Sequence, residues 1–371
     1  MAGQNGIRRV ASAVPAAVGA AVGVALLAAA VDVGVAVVRA VRSRPRVVGR
    51  GTGRAVVEPR PFGESAQIVL AWTTVIGGRV LSRSTRASRA LERLTVAHGE
   101  RMDQPATSDD IDRFIAAYSI DVSLLDRHPH EFATINELFA RPLRAGARPV
   151  AHADDRTVAV SPADCRLTCV ESGDAGTRLA VKGRAYDIAG LLGAVDRSRG
   201  APAHAFDRVR DFYDTAAADG FAVFRCRLAP GDYHRFHWPV DGVWDRDLVL
   251  DIPGEYHSVS SRAVAGPVDV LGRNRRCVAI VESNPFGSVA FVAIGAVKVG
   301  SIELTAPSGI VTKGQEMGRF RYGGSTVVLV FRRGAIRFDD ELLANSGAGV
   351  ETLVEVGSII GRATPPSSPS A

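Results

Sequence analysis

Cysteine is scarce in this chain of 371 residues, which has four, at positions 165, 169, 226 and 277. Four thiols so widely spaced are too few for a disulfide framework, so we expect buried free thiols in a reducing compartment. No second cysteine pair and no cysteine–histidine pair completes a zinc site with Cys165 and Cys169. His234 and His237 likewise have no carboxylate or third histidine at ligand spacing. The sequence therefore predicts neither a disulfide-rich module nor a metal site.

Aromatic residues are also few, at 6% of the chain, and they are not interleaved with the basic residues. The net charge is +6 and the isoelectric point is about 9.4, so an anionic partner is expected. Without a compact patch of basic and aromatic side chains, nucleic acid is excluded as that partner. Many arginines lie near the N-terminus, where they favour an anionic membrane surface.

Acidic residues are absent before Asp32, and residues 10–31 form a run of 22 uncharged residues. A bilayer is crossed by about 20 apolar residues, so we predict a membrane anchor here. Two arginines precede the run and six follow it, at positions 39, 42, 44, 46, 50 and 54. By the positive-inside rule the catalytic part lies on the cytoplasmic side. We expect the membrane to be a bacterial cytoplasmic membrane. A targeting leader for an organellar inner membrane and a disordered leader are the alternatives.

Composition divides the chain into five parts: an anchor or leader (1–42), a linker (43–64), a helical membrane-facing region (65–150), a β-rich domain (151–363) and a disordered tail (364–371). The apolar segment 66–81 is too short to span a bilayer and suits an interfacial or core helix. The arginine-rich segment 82–97 is typical of a surface helix. The fold class that follows is α+β, with the strands packed in barrel-sandwich-like sheets.

Local patterns place the individual elements. Thr107 before Asp109 and Asp110 predicts a capped helix over residues 107–118, and a second short helix is expected at 135–139. Short apolar runs between turn residues predict strands at 158–161, 167–170, 221–228, 278–281, 288–294 and 326–331. Helical insertions are expected at 188–192, 206–218 and 339–343.

The stretch 311–331, VTKGQEMGRFRYGGSTVVLVF, carries the most specific chemistry. Gly323 and Gly324 permit backbone angles that a side chain forbids, and they leave the carbonyl of Gly324 unshielded. The hydroxyl of Ser325, which follows directly, can attack that carbonyl if a base removes its proton. The sequence therefore suggests a reaction on the protein's own backbone.

These residues and several upstream motifs resemble the phosphatidylserine decarboxylases. The similarity covers about residues 107–361 in family order, and each motif is found in the printed sequence: FATINELFARPLRAGARPV (132–150), SPADCRL (161–167), VKGRAYDIAGLLG (181–193), DYHRFHWPVDG (232–242), VKVGSI (297–302) and KGQEMGRF before the Gly-Ser-Thr strand. In that family the chain cuts itself before the serine, and the serine becomes a covalent pyruvoyl group. The resemblance thus implies cleavage between Gly324 and Ser325, with pyruvate from Ser325 as the cofactor.

The resemblance also assigns roles to side chains. His237, the second histidine of the family's YHRxH motif, is implied as the base of self-cleavage, and Asp164 as the acid that orients it. His234 is implied in the decarboxylation step itself. One position departs from the family, since Cys165 follows Asp164 where the family usually has glycine. A side chain there restricts the backbone next to the carboxylate.

The implied reaction is decarboxylation of phosphatidylserine to phosphatidylethanolamine, through a Schiff base between the pyruvoyl carbonyl and the substrate amine. The mature protein would pair a β chain (1–324) with an α chain (325–371), as a possible homodimer, at an anionic membrane. No diffusible cofactor is needed.

Three other readings are open. A pyruvoyl enzyme of this kind can act on a soluble amino acid instead. Ser325, His237 and Asp164 would also suit a serine hydrolase, although a hydrolase serine lies on a strand-to-helix elbow and Ser325 enters a strand. Finally, the turn at Lys313 resembles a lipoyl-type hairpin, although Lys313 lacks the flanking residues of a carrier lysine, so we interpret it as a turn residue.

Overall fold

A computed structural model describes residues 46–58, 85–171, 178–181, 184–195, 202–259, 263–264, 269–296, 302–322 and 325–365. All of them fall within one structural unit, Pro45–Ala371. The predicted anchor at 10–31, the apolar segment 66–81 and the glycine pair at 323–324 lie outside these residues. Within the part described, no helix is both long and apolar enough to cross a membrane.

Strands dominate the described residues. They are β1 Val47–Gly49, β2 Val158–Val160, β3 Cys165–Glu171, β4 Arg178–Val181, β5 Arg184–Asp187, β6 Phe221–Leu228, β7 Arg235–His237, β8 Gly242–Trp244, β9 Leu250–Ile252, β10 Arg276–Ser283, β11 Gly287–Ile294, β12 Ile302–Leu304, β13 Gly309–Val311, β14 Glu316–Phe320, β15 Ser325–Arg332, β16 Ile336–Phe338, β17 Glu351–Val354 and β18 Ile359–Ala363. The α-helices are α1 Thr85–Met102, α2 Ser108–Tyr118, α3 Ile135–Phe139, α4 Ile188–Leu192, α5 Ala203–Ala217, α6 Val270–Arg273 and α7 Asp340–Gly347. The predicted α+β class is confirmed.

The largest sheet has ten strands in the order β1-β17-β3-β6-β15-β11-β10-β8-β13, with β9 also paired to β10. Every pairing in it is antiparallel except β1 with β17. Two three-stranded sheets, β12-β14-β7 and β16-β18-β2, and the hairpin β4-β5 complete the architecture. Strand β15 lies at the middle of the large sheet, between β6 and β11.

Both faces of the large sheet are buried, as the strand β15 shows. Val327, Leu329 and Phe331 belong to one apolar cluster with residues of the small sheets, whereas Val328 and Val330 belong to a second cluster with α4 and α5. Successive side chains of a strand point to opposite faces, so a strand covered on both sides is apolar at every position. This explains the uninterrupted apolar run at 327–331.

The helical region before residue 150 forms its own small core. Helix α2 begins as predicted, with Thr107 and Asp110 in a reciprocal capping box, and its Ile111 and Phe114 are buried. These side chains cluster with α3 and with Tyr322, which follows β14. The helical region therefore contacts the segment that leads to Ser325.

One strand lies inside the segment predicted as a linker. Val47–Gly49 forms β1 and pairs in parallel with Glu351–Val354 at an edge of the large sheet. Two β-branched valines suit such an edge, but three residues are too short to be recognised among the surrounding arginines and glycines.

Candidate active site

Ser325 is the first residue of β15 and pairs with Leu228 at the end of β6. Its side chain is fully buried, and its hydroxyl makes no hydrogen bond with any other described residue. A buried hydroxyl without a partner costs free energy, which makes such a group a candidate for function. Because β15 continues to Arg332 as a strand, no elbow into a helix follows Ser325.

Topology brings the histidine loop to the same end of the sheet. The loop 229–234 begins where β6 ends, opposite Ser325. At its far end, the amide of Phe320 donates to the carbonyl of His234 (2.9 Å), and Phe320 is five residues before Ser325. The pairing of β6 with β15 therefore draws His234 and Ser325 into one region from distant parts of the sequence.

The imidazole of His234 is fully buried and lies stacked on Phe139, with ring centroids 3.7 Å apart. Its Nδ1 is 2.9 Å from the carbonyl oxygen of Asp232. A carbonyl only accepts, so Nδ1 carries the proton and Nε2 is the unprotonated nitrogen. That Nε2 has no hydrogen-bond partner among the described residues. Burial lowers the pKa of His234 to about 3, with a smaller contribution from the charges of Arg141 and Arg166, although the hydrogen bond to the Asp232 carbonyl acts in the opposite direction.

His237 lies on β7, and both of its ring nitrogens are engaged. Nδ1 is 2.9 Å from the carbonyl oxygen of Gly314 and therefore donates to it. Nε2 is 3.0 Å from the Tyr233 hydroxyl and accepts its hydrogen. Burial has the largest effect on the pKa of His237 and lowers it below the usual value. The hydrogen bond to the Gly314 carbonyl and the charges of Glu316 and Asp164 act in the opposite direction, but they are smaller. The ring is therefore a neutral imidazole whose lone pair is on Nε2.

The turn that supplies the Gly314 carbonyl needs glycine. Gly314 has φ of +80°, and a Cβ there would lie 2.3 Å from the side chain of Val150. The neighbouring Lys313 is buried, and its Nζ donates to the carbonyls of Asp155 (2.6 Å) and Val158 (3.2 Å). Lys313 is thus the turn residue that the sequence predicted, since a carrier lysine must be exposed.

The carboxylate of Asp164 is held by two groups. Nε of Arg148 lies 3.0 Å from Oδ1 and its Nη2 lies 2.7 Å from Oδ2, while the amide of Val356 donates to Oδ1 (2.8 Å). Cys165 begins β3, and it is not among the described non-glycine residues with positive φ, so its side chain imposes no strain. The carboxylate therefore stays fixed although Cys165 replaces the family's glycine.

The expected site residues are thus brought together only in part. The backbone amide of His237 donates to the carbonyl of Pro162 (2.8 Å), so the turn that bears Asp164 lies against β7. Among the described contacts, however, Asp164 makes no hydrogen bond to a histidine, and Gly314 and Tyr233 fix the imidazole of His237. The orienting role of Asp164 therefore stays a prediction.

Sequence reasoning missed Tyr233 and Arg148, although both stand within quoted motifs. Their spacing carried no signal, because a tyrosine beside a histidine or an arginine sixteen residues before an aspartate is compatible with many folds. Only the tertiary structure pairs Tyr233 with His237 and Arg148 with Asp164.

The arrangement contains the parts of nucleophilic chemistry. It offers a buried serine hydroxyl, a neutral imidazole with its tautomer fixed, and a second neutral imidazole with a free lone pair. A serine needs a neighbouring base to act as a nucleophile, and both histidines are in the protonation state of a base at neutral pH.

Comparisons with known proteins agree on one family. The family model described as "Phosphatidylserine decarboxylase" matches residues 135–362, more than half of the chain. Relatives include phosphatidylserine decarboxylase proenzyme 2 of rice, 42% identical over 74% of this chain and 42% of the relative. The proenzyme 3 of Schizosaccharomyces pombe is 34% identical over 87% of this chain and 32% of the relative. The proenzyme of Clostridium perfringens is 32% identical over 71% of this chain and 83% of the relative.

The chain thus spans less than half the length of the plant and yeast relatives but most of the length of the bacterial one. The matched region contains Asp164, His234, His237 and Ser325. The chain belongs to the phosphatidylserine decarboxylase family.

Proposed function

We propose that this chain is a proenzyme that cleaves itself between Gly324 and Ser325 and then decarboxylates phosphatidylserine to phosphatidylethanolamine. Family membership supports the reaction, and the printed names of the relatives call them proenzymes. The observation that carries the proposal is the buried hydroxyl of Ser325, which has no hydrogen-bond partner in the described part of the chain. Conversion of Ser325 to a pyruvoyl group fits this position, because the CH2OH side chain would become a methyl, which needs no hydrogen-bond partner.

Self-cleavage would start at His237. Its Nε2 takes the proton of Ser325 as the Ser325 oxygen bonds to the carbonyl carbon of Gly324. The bond from that carbon to the Ser325 nitrogen then breaks, and Nε2 passes the proton to this nitrogen, which becomes an amine. The resulting ester loses the α-proton of Ser325, and the Gly324 carboxylate leaves. Water then releases the nitrogen as ammonia, so the new N-terminus is a pyruvoyl group. The Tyr233 hydroxyl, which donates to Nε2, must leave it before the proton is transferred.

Asp164 would act on His237 through its charge. A carboxylate near an imidazole favours the protonated form, and the charge of Asp164 raises the pKa of His237 while burial lowers it. Arg148 fixes the position of that charge through two hydrogen bonds. We therefore assign Asp164 the stabilisation of the imidazolium formed during attack, and the Gly314 carbonyl the choice of tautomer.

A pyruvoyl group formed from Ser325 would supply a carbonyl that accepts the electrons left when carbon dioxide departs from the substrate. The role of His234 is proton transfer at Nε2, the nitrogen without a partner. Because its pKa is about 3, the ring is neutral at pH 7 and can first take a proton from the substrate amine. It then returns that proton to the substrate carbon.

The membrane location follows from the substrate class and the sequence. We propose that residues 10–31 anchor the protein and that the arginines after them place the catalytic part on the cytoplasmic side of a bacterial membrane. We propose that the two chains from cleavage form the working heterodimer and that two heterodimers associate as a homodimer. Sedimentation with phosphatidylserine vesicles, compared with neutral vesicles, tests the membrane association.

Intact mass under denaturing conditions tests the proposed function. We expect two chains, the smaller starting at residue 325 and lighter by one ammonia than a peptide with N-terminal serine. The Ser325→Ala variant should stay a single chain and release no carbon dioxide from phosphatidylserine vesicles. Release from free serine but not from vesicles would instead indicate a soluble amino acid as substrate. A single wild-type chain that hydrolyses esters would indicate the hydrolase.

A further inference from the structure

Asn136 of α3 makes two hydrogen bonds that reach the segment just before the cleavage site. Its Oδ1 accepts from the backbone amide of Tyr322 (2.7 Å), and its Nδ2 donates to Oδ1 of Asp103 (2.8 Å). Asp103 in turn accepts from Nη2 of Arg321 (2.7 Å). The side chain of Asn136 is 5% exposed, so these bonds are made largely away from water.

The ring of Tyr322 is held on the same side. It lies 5.0 Å from the ring of Phe139 and 5.7 Å from that of Phe114, and its hydroxyl lies 3.1 Å from the hydroxyl of Tyr118. Tyr322 is a member of the small helical core, although it belongs to the segment after β14. Backbone and side chain of this residue are therefore both fixed by the helical region.

On the other side of the cleavage site, Ser325 is fixed by the large sheet through its pairing with Leu228. Only Gly323 and Gly324 stand between Tyr322 and Ser325 in the sequence. Glycine loses more conformational freedom on ordering than any other residue, so holding both ends lowers the number of arrangements open to the pair. Holding reacting groups in place raises the rate of a reaction, because part of the entropy cost of bringing them together has been met before the reaction starts.

We propose that Asn136 and Asp103, here called the clamp, are positioning residues for self-cleavage. The clamp holds the amide of Tyr322, and with it the point at which the chain enters the cleavage site, at a fixed place relative to the helical region. It has no part in the bond changes themselves. This inference rests on the proposed self-cleavage and assigns to the helical region a role in maturation that is separate from any contact with lipid.

The test measures the rate at which full-length precursor, made by cell-free synthesis, converts to two chains on denaturing gels. Asn136→Ala should slow conversion by about tenfold or more, since small misplacements of reacting groups cost up to about a hundredfold. Asn136→Asp should be slow as well, because its carboxylate would face Asp103. Asn345→Ala is the matched control, since it removes an amide that bonds Thr352 between α7 and β17 (3.0 Å).

A double exchange, Asp103→Asn with Asn136→Asp, separates positioning from packing. In this variant the amide at position 103 donates to the carboxylate at position 136, which still accepts from Tyr322. We expect the rate to return to within about threefold of wild type. Thermal unfolding of each variant in the Ser325→Ala background confirms that it folds.

The outcomes separate this inference from the proposed function. A wild-type rate for Asn136→Ala, or a double exchange as slow as the single variants, would overturn the clamp while leaving self-cleavage intact. A wild-type chain that stays whole would overturn the proposed function and the clamp with it. Slow single variants, a restored double exchange and a normal Asn345→Ala rate together establish the clamp.

Discussion

His234 shows how one residue can couple the site to the stability of the whole protein. Its ring is fully buried, bonded to Asp232 through Nδ1 and stacked on Phe139, and its pKa is about 3. An unfolded histidine has a pKa of about 6.5, so the unfolded chain takes up this proton first as the pH falls. Titration of His234 therefore leaves the free energy of unfolding unchanged above about pH 6.5 and lowers it progressively as the pH falls from there towards 3.

We expect His234→Gln to reduce the loss of unfolding free energy between pH 7 and pH 5, because glutamine does not titrate. The difference is at most about 1.4 kcal/mol per pH unit for one proton. Urea unfolding at the two pH values, in the Ser325→Ala background so that one chain unfolds, measures it. Replacement of the exposed His204 by glutamine serves as the control, and equal pH slopes for wild type and His234→Gln would contradict the prediction.

At the scale of elements, a buried network of charges joins β3, β6 and β17 on one face of the large sheet. Glu351 is fully buried and accepts from Arg225 (3.0 Å) and Arg227 (2.6 Å). Arg166 makes ion pairs with Glu58 and with Asp232 in the histidine loop. The network therefore connects the strands of the sheet to the loop that bears His234.

Glu351→Gln should lower the free energy of unfolding by about 3 kcal/mol or more, because it removes the buried carboxylate that two buried guanidinium groups share. The control is Arg337→Gln, whose ion pair with Asp340 is solvent-exposed, and which should cost less than about 1 kcal/mol. Urea unfolding in the Ser325→Ala background compares the two. Similar losses in both variants would show that the network contributes no more than a surface pair.

At the scale of the molecule, the proposed cleavage would divide a fold whose two parts are interleaved. The part after residue 324 supplies β15 at the middle of the large sheet, β17 between β1 and β3, and two of the three strands of the sheet β16-β18-β2. Five consecutive apolar side chains of β15, at 327–331, are buried, each stabilising by roughly 1.5–3 kcal/mol. Cleavage of the one peptide bond that precedes the first residue of β15 removes none of these contacts.

The two chains should therefore elute together in native size-exclusion chromatography, at the volume of the uncut Ser325→Ala variant, and separate only in denaturant. The measurement is the elution profile with each fraction analysed on a denaturing gel. A small chain that elutes alone under native conditions would show that β15 does not hold the halves together.

The sequence by itself determined the family, the α+β class and many of the elements. Motifs in order and apolar periodicity are local properties of the chain, and the helices at 135–139 and 188–192 and the strand at 221–228 have the bounds that the structure gives them. The sequence also singled out Ser325, because two glycines before a serine and a β-rich run form a local pattern. It could not reveal β1, since three residues carry too little periodicity.

The tertiary structure decided what surrounds each site residue. Three contacts illustrate this: Tyr233 with Nε2 of His237, Arg148 with Asp164, and Asn136 with the amide of Tyr322. The partners are 4, 16 and 186 residues apart in the chain. Hydrogen bonds of this kind depend on where the sheet and the helices place each backbone, and no local pattern encodes that placement. The sequence therefore identified the site residues, whereas only the fold determined which side chain or backbone group forms a hydrogen bond with each of them.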